Sequence, residues 1–239
     1  MPTFPGWINP LKCPEIDILP NLPNAQVSGT PPPDRLLDYL YAPEVDRSPE
    51  AFVARYKEIA AVRDPLPIVP AEPTILEKLV WPLRHAKGSY ALGNYVGCIA
   101  LCGMVGEMVA VLLWDISKVV LQGQGMTEVQ QRALFGSSFE RLGQERRVDI
   151  LHSLKLVDDA TKATFDSLRA VRRKYLHLLS QTHSQVAPDA RRAYEDAIKI
   201  VAVALGPTFK DGAVVLRPDL MAYLADKGIV QVEQQAGGA

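Results

Sequence analysis

The chain has 239 residues, of which 48% are apolar and 22% charged, and its formal net charge is -1. That length holds one sizeable core with appendages, and that composition excludes a disordered chain. The near-neutral balance excludes a whole-chain basic field, so any contact with nucleic acid has to come from a local patch.

Proline sets off the first part of the chain. Fifteen of the 19 prolines lie between Pro2 and Pro73, including the run Pro31-Pro32-Pro33. Each proline removes a backbone donor and fixes φ, so residues 1–73 read as an extended arm with short helices. One helix is expected near Asp34. Another is expected after Ser48, with Ser48 as N-cap, Pro49 in the first turn, and Phe52, Tyr56, Ile59 and Val62 at helical spacing. Trp7, Ile16, Ile18, Leu19 and Leu22 are too apolar for a solvated linker and predict contact with the body or with a protein partner. The start, Met1 to Trp7, has no basic region followed by an apolar run, so a cytoplasmic address is expected.

From residue 74 the pattern changes to long helices, and residues 74–205 read as an all-α helical domain. A first helix is expected over 74–92, where Pro82 allows a bend. A second is expected over 95–121, apolar nearly all round as a central helix is, and ended by Gln122-Gly123-Gln124-Gly125. Its one charge up to Trp114, Glu107, would cost about 2.5–3.5 kcal/mol at a bilayer centre, which favours a core helix over a membrane span. Cys98 and Cys102 share a face of this helix without a His or Cys cluster. With Cys13 they make an odd set that reads as packing, not as a disulfide scaffold or a metal site. No cofactor is implied.

Short helical pieces follow over 127–156, then long helices over 158–182 and 188–205. The last carries Tyr194, Ala197, Ile198, Val201 and Leu205 on one face. Residues 206–239 form a small tail: a hairpin of residues 208–210 and 213–216 turned at Asp211-Gly212, then a short helix over 219–226.

Chemistry concentrates on the helix over 158–182. At about 100° per residue, Phe165, Leu168, Val171, Tyr175, Leu178 and Leu179 form one apolar stripe. His177 points almost opposite that stripe, with Arg173, Arg169 and Ser180 on the same outward face and Arg172 on its border. One helix thus presents a histidine and arginines outside its own core.

The segment Arg172-Arg173-Lys174-Tyr175-Leu176-His177 resembles the signature of HEPN domains, an Arg, four to six residues, then a His. The preceding apolar helix with a central Glu107 and the connecting stretch from Phe139 to Gln144 are similar to that family's order of elements. The resemblance covers residues 74–205 and leaves the arm and the tail unexplained. It implies an up-and-down helical bundle and a metal-independent endoribonuclease, toxin-like or antiphage-effector-like, acting as a homodimer and leaving 2′,3′-cyclic phosphate ends. Arg172 and His177 are then the catalytic pair. Histidine has the ordinary pKa, about 6.5, suited to taking a 2′-hydroxyl proton, and arginine suits phosphate oxygens. Arg169 and Lys174 would add RNA contacts, and Arg173 and Glu107 would support the site. Glu107, an acid in an apolar helix, needs a partner, and Arg172 is the natural one.

One departure opens a second reading. Catalytic members usually carry Asn, Asp or His directly after the Arg, where this chain has Arg173. A catalytically silent HEPN-like module, binding RNA or a protein partner through the arm, is the alternative. His85 and His152 read as surface residues and His183 as a helix end. The pairs Gly103/Gly106 and Gly123/Gly125 suit close packing and a helix stop, not a phosphate loop.

Overall fold

The computed structural model describes residues 45–66, 69–177, 182, 184–206, 208–210 and 213–229. The helix expected near Asp34, the apolar positions of the arm before residue 45, Leu178, Leu179, Ser180, His183 and the Asp211-Gly212 turn lie outside them. The described residues form an all-α body with two short antiparallel ribbons.

Helix α1 (Pro49–Ala60) starts as its sequence dictates. Ser48 accepts a hydrogen bond from the N–H of Ala51, and Pro49 occupies the first turn, where its missing donor costs nothing. Ile59 and Val62 join the same buried cluster as the rest of the body, while Tyr56 stays half exposed.

The next helix begins with Glu72, a buried acid whose carboxylate accepts from the N–H of Ile75 at 2.6 Å. A short turn (Pro73–Ile75) leads into a π-helical turn (Leu76–Val80) and then helix α2 (Trp81–Ala91). Just before Pro82, where the sequence allows a bend, the helix widens: the N–H of Trp81 reaches back to the carbonyl of Leu76. Pro82 has no N–H to continue the usual ladder, and a π-turn absorbs the mismatch.

Helix α3 (Tyr95–Ile116) is capped by Asn94 and runs through the centre, with Cys98, Ile99, Cys102, Val105, Val109, Ala110 and Leu113 fully buried. By length and composition it is the one described helix able to cross a membrane, and 56% of its most apolar window is buried in the fold. It ends five residues before the expected 121. Lys118 takes a left-handed φ of 42°, and the chain turns into a ribbon of β1 (Val120–Leu121) and β2 (Gln124–Gly125). Gln122 and Gly123, expected to stop a helix, both have positive φ and form the hairpin's two-residue turn.

Helix α4 (Glu128–Phe135) and a single 3-10 turn (Phe139–Arg141) lead to helix α5 (Gln144–Ser153). The Trp114 ring stacks on Phe139 at 4.3 Å and meets Phe135 edge-on at 5.8 Å, so the end of α3 fixes where α5 starts. Helix α6 (Asp159–Leu176), capped by Asp158, buries Phe165, Leu168, Val171 and Tyr175, the described part of the expected stripe. It ends at Leu176 rather than at residue 182, because His177, at φ -126°, already leaves helical geometry. Helix α7 (Val186–Leu205) buries Tyr194, Ala197, Ile198, Val201 and Leu205 against α3 and α6. The expected tail hairpin pairs β3 (Thr208–Lys210) with β4 (Ala213–Val215) in antiparallel register, and helix α8 (Pro218–Asp226) lays Leu220 and Leu224 on α3.

Candidate functional site

Two glycines on α3 set the geometry of the site. A Cβ at Gly103 would collide with the Arg172 side chain at Cδ, and one at Gly106 would meet Leu168 at 2.8 Å and the Gln144 amide at 3.1 Å. Bare backbone at these positions lets α6 and α5 come close to α3. The Arg172 stem therefore lies flat on the central helix, with its guanidinium beside Glu107.

That guanidinium and the Glu107 carboxylate form a direct ion pair, Nη1 to Oε1. The pairing matches the expectation, but the burial does not. Glu107 is 28% and Arg172 29% exposed, since the two meet at the edge of the helix packing rather than within it. Nη2 of Arg172 has no partner among the described residues and stays available.

An open groove of about 370 Å³ runs along this edge, lined by Glu107, Gly143, Gln144, Glu145, Arg169, Arg172, Arg173 and His177. Five of the six residues singled out from sequence thus share one surface. Arg173 and His177 are exposed, and neither side chain has an ion pair or hydrogen bond among the described residues. Arg169 is held by Glu145 and Asp166, which offsets its charge. Lys174, the sixth, lies off this groove. Its ammonium bonds Asp189 at 2.9 Å and rests 4.9 Å from the centre of the Tyr175 ring. Hydrogen bonds to Asp189 and Tyr175 raise it above the ordinary lysine value.

Two groups lining the groove, and one beside it, escape sequence reasoning. Gln144 is 9% exposed, and neither its amide oxygen nor its nitrogen has a partner among the described residues. An amide left so costs about 1–3 kcal/mol. Glu145 is the anchor for Arg169. Arg147, 8% exposed, gives Nη2 to the Glu140 carbonyl at 2.7 Å and Nη1 to the Glu107 carbonyl at 3.4 Å, tying α5 to α3. Burial lowers Arg147 against the pull of Glu107 and Glu140. The Gly143 before a helical pattern is the one sequence signal for this corner, marking where α5 begins.

The other histidines lie elsewhere. His85 is exposed on α2, and the His152 ring sits 2.7 Å from Asp159. Cys98 and Cys102 are buried side by side, and a hydrogen bond with Cys98, together with burial, pushes the Cys102 thiol up. Among the described residues, no three His, Cys, Asp or Glu side chains are placed to share a metal ion.

Chemically, the groove offers one uncommitted imidazole, one uncommitted guanidinium and one half-committed guanidinium oriented by a carboxylate. No protein-family model, curated protein or solved structure matches the chain, so the site is read from its own chemistry.

Proposed function

We propose that this chain is a HEPN-like, metal-independent endoribonuclease that acts as a homodimer, with Arg172 and His177 as its catalytic pair. The observation that carries the reading is the meeting of Glu107, Arg172, Arg173 and His177 on one open groove. In the proposed reaction His177 takes the proton of an RNA 2′-hydroxyl, and that oxygen attacks the adjacent phosphorus. The P–O5′ bond breaks, and a proton returned by imidazolium leaves a 5′-hydroxyl and a 2′,3′-cyclic phosphate. Glu107 orients Arg172 so that Nη2 faces the charge building on the phosphate, with Arg173 beside it. The groove is open on its outer side, which suits completion by a second copy of the same face. A protein with this activity fits a cytoplasmic, toxin-like or antiphage role.

A second reading has its own observation. Arg169 and Lys174, the cations expected to add RNA contacts, are held by Glu145, Asp166 and Asp189. That commitment favours a catalytically silent module that binds a protein partner through the proline-rich arm.

One experiment separates the two. Purified protein is incubated with total RNA in EDTA, beside His177→Ala and Arg172→Lys. The nuclease reading expects RNA but not DNA to be cut to cyclic-phosphate ends. It expects His177→Ala to abolish cleavage, and Arg172→Lys to lose most of it because an ammonium lacks the two-pronged contact. Cleavage that survives His177→Ala sinks this reading, and no cleavage under any condition leaves the silent module.

A further inference from the structure

Helix α2 carries an uncovered face of its own. Trp81, Arg84, His85, Gly88, Ser89 and Leu92 line one open hollow, and none of them belongs to the groove of Arg172 and His177. The Trp81 side chain is 49% exposed. Neither it nor Arg84 nor His85 has a side-chain hydrogen bond, ion pair or ring contact among the described residues. Gly88 is the odd member. Glycine weakens a helix interior, yet a Cβ at Gly88 would meet nothing within 4 Å among the described residues. The described body therefore gives no reason for bare backbone there.

The chain arrives at one end of this face. Val45, the first described residue, lies against Gly93, where a Cβ would sit 2.6 Å from its Cγ1. Arg55 fastens the same place, giving Nε to the Ala91 carbonyl at 2.8 Å and Nη1 to the Asp46 carbonyl at 2.9 Å. The proline-rich arm thus joins the body beside Leu92. Pro33, the end of the run Pro31-Pro32-Pro33, precedes Val45 by 12 positions. From Leu92 back to Trp81 the helix measures about 17 Å, and 12 residues span about 18 Å as helix and about 40 Å extended. The run reaches Trp81 in either form.

We propose that Pro31-Pro32-Pro33 of this same chain docks on the Trp81 face of α2, so that the arm straps its own body. Three prolines in a row favour the polyproline II form, whose carbonyls have no internal donors. The face meets such a strand on both counts. Pyrrolidine rings pack on the flat indole, while the indole N–H and the Arg84 guanidinium donate to the strand's carbonyls. Gly88 leaves room for the chain that follows the run. Asp34 and Asp38, next in that chain, oppose the charge of Arg84. The strap is independent of the ribonuclease reading, and it withdraws the proline run from any outside partner.

The test is paramagnetic broadening in NMR spectra of the ¹⁵N-labelled full chain. A nitroxide is attached at Thr30→Cys, in a chain that also carries Cys13→Ser, since Cys98 and Cys102 are buried. The Trp81 indole N–H and the Gly88 amide should lose most of their intensity. Replacing Pro31, Pro32 and Pro33 by Ser should restore both signals. Gly88→Leu, which clashes with nothing in the described body, should restore the Trp81 signal by filling the seat. No loss of intensity, or a loss that persists in the serine variant, overturns the strap. Broadening passed only from a nitroxide-bearing chain to a separate ¹⁵N-labelled chain gives the seat to a second copy and overturns it too. So does a Trp81 indole that ignores the nitroxide but shifts on adding single-stranded RNA.

Discussion

The last turns of α6 touch two polar clusters that are built in opposite ways. On one side, Asp189 of α7 accepts from Tyr175 Oη at 2.7 Å, Lys174 Nζ at 2.9 Å and Arg192 Nη2 at 2.8 Å. Burial pushes the Asp189 carboxyl up, but the hydrogen bonds from Tyr175 and Lys174 and the nearby positive charges outweigh it and hold it below the usual range. On the other side, the groove leaves Arg172 Nη2, Arg173 and His177 without partners among the described residues. Both clusters are rich in charge. What separates them is satisfaction: a closed network fastens two helices, and an open one presents unmet donors to whatever enters.

That contrast can be broken by measurement. The largest effect is expected in the closed cluster, where Asp189→Ala should cost about 3 kcal/mol in urea denaturation, since three donors lose one buried acceptor. Because the folded carboxyl titrates below its unfolded value of about 3.9, its contribution is present at neutral pH and is lost as pH falls through that lowered value. A loss under about 1 kcal/mol would mean that the cluster is hydrated, like an exposed ion pair, and that the contrast is unfounded.

Glu107→Ala should come next, at about 1–2 kcal/mol, with Glu107→Gln milder, because a pair exposed by more than a quarter is partly screened. A loss as large as that of Asp189→Ala would place Glu107 among closed structural clusters rather than open ones. Gly103→Ala should leave stability within about 1 kcal/mol, since the gain in helix propensity offsets the push on a flexible side chain. It should nevertheless displace Arg172, visible as a moved Nε–H signal. An unmoved signal would show that the glycine seat does not position the guanidinium.

The smallest effect on stability belongs to Arg173→Ala, within about 0.5 kcal/mol. Any RNA affinity should fall with it, and the salt slope should drop by about one if Arg173 meets a phosphate. An unchanged slope would remove Arg173 from the open cluster.

Much of the helical frame is legible in the sequence because periodicity and caps are local. Ser48 before Pro49, the stripe from Phe165 to Tyr175, and the buried face of α7 from Tyr194 to Leu205 each need only their own neighbours. The end of α3 is not legible, because apolar Val119, Val120 and Leu121 continue its pattern past the left-handed turn at Lys118 that breaks it. At the groove, the Arg-to-His spacing and the central Glu107 bring their residues into view. Gln144 and Arg147 do not emerge, because their meaning comes from α5 docking on α3, which the spacing of either helix does not encode. Lys174 reads like Arg173 in sequence, yet one residue of helical rotation takes it to Asp189.

The pairing of Glu107 with Arg172 spans 65 residues of chain. A peptide of residues 159–177 would contain the whole Arg-to-His motif and none of its surroundings: no carboxylate beside the guanidinium, no α5, no glycine seat. The groove is therefore a property of assembly. It comes into being only when three stretches distant in sequence have docked, and a nascent or partly unfolded chain exposes the motif without possessing the site.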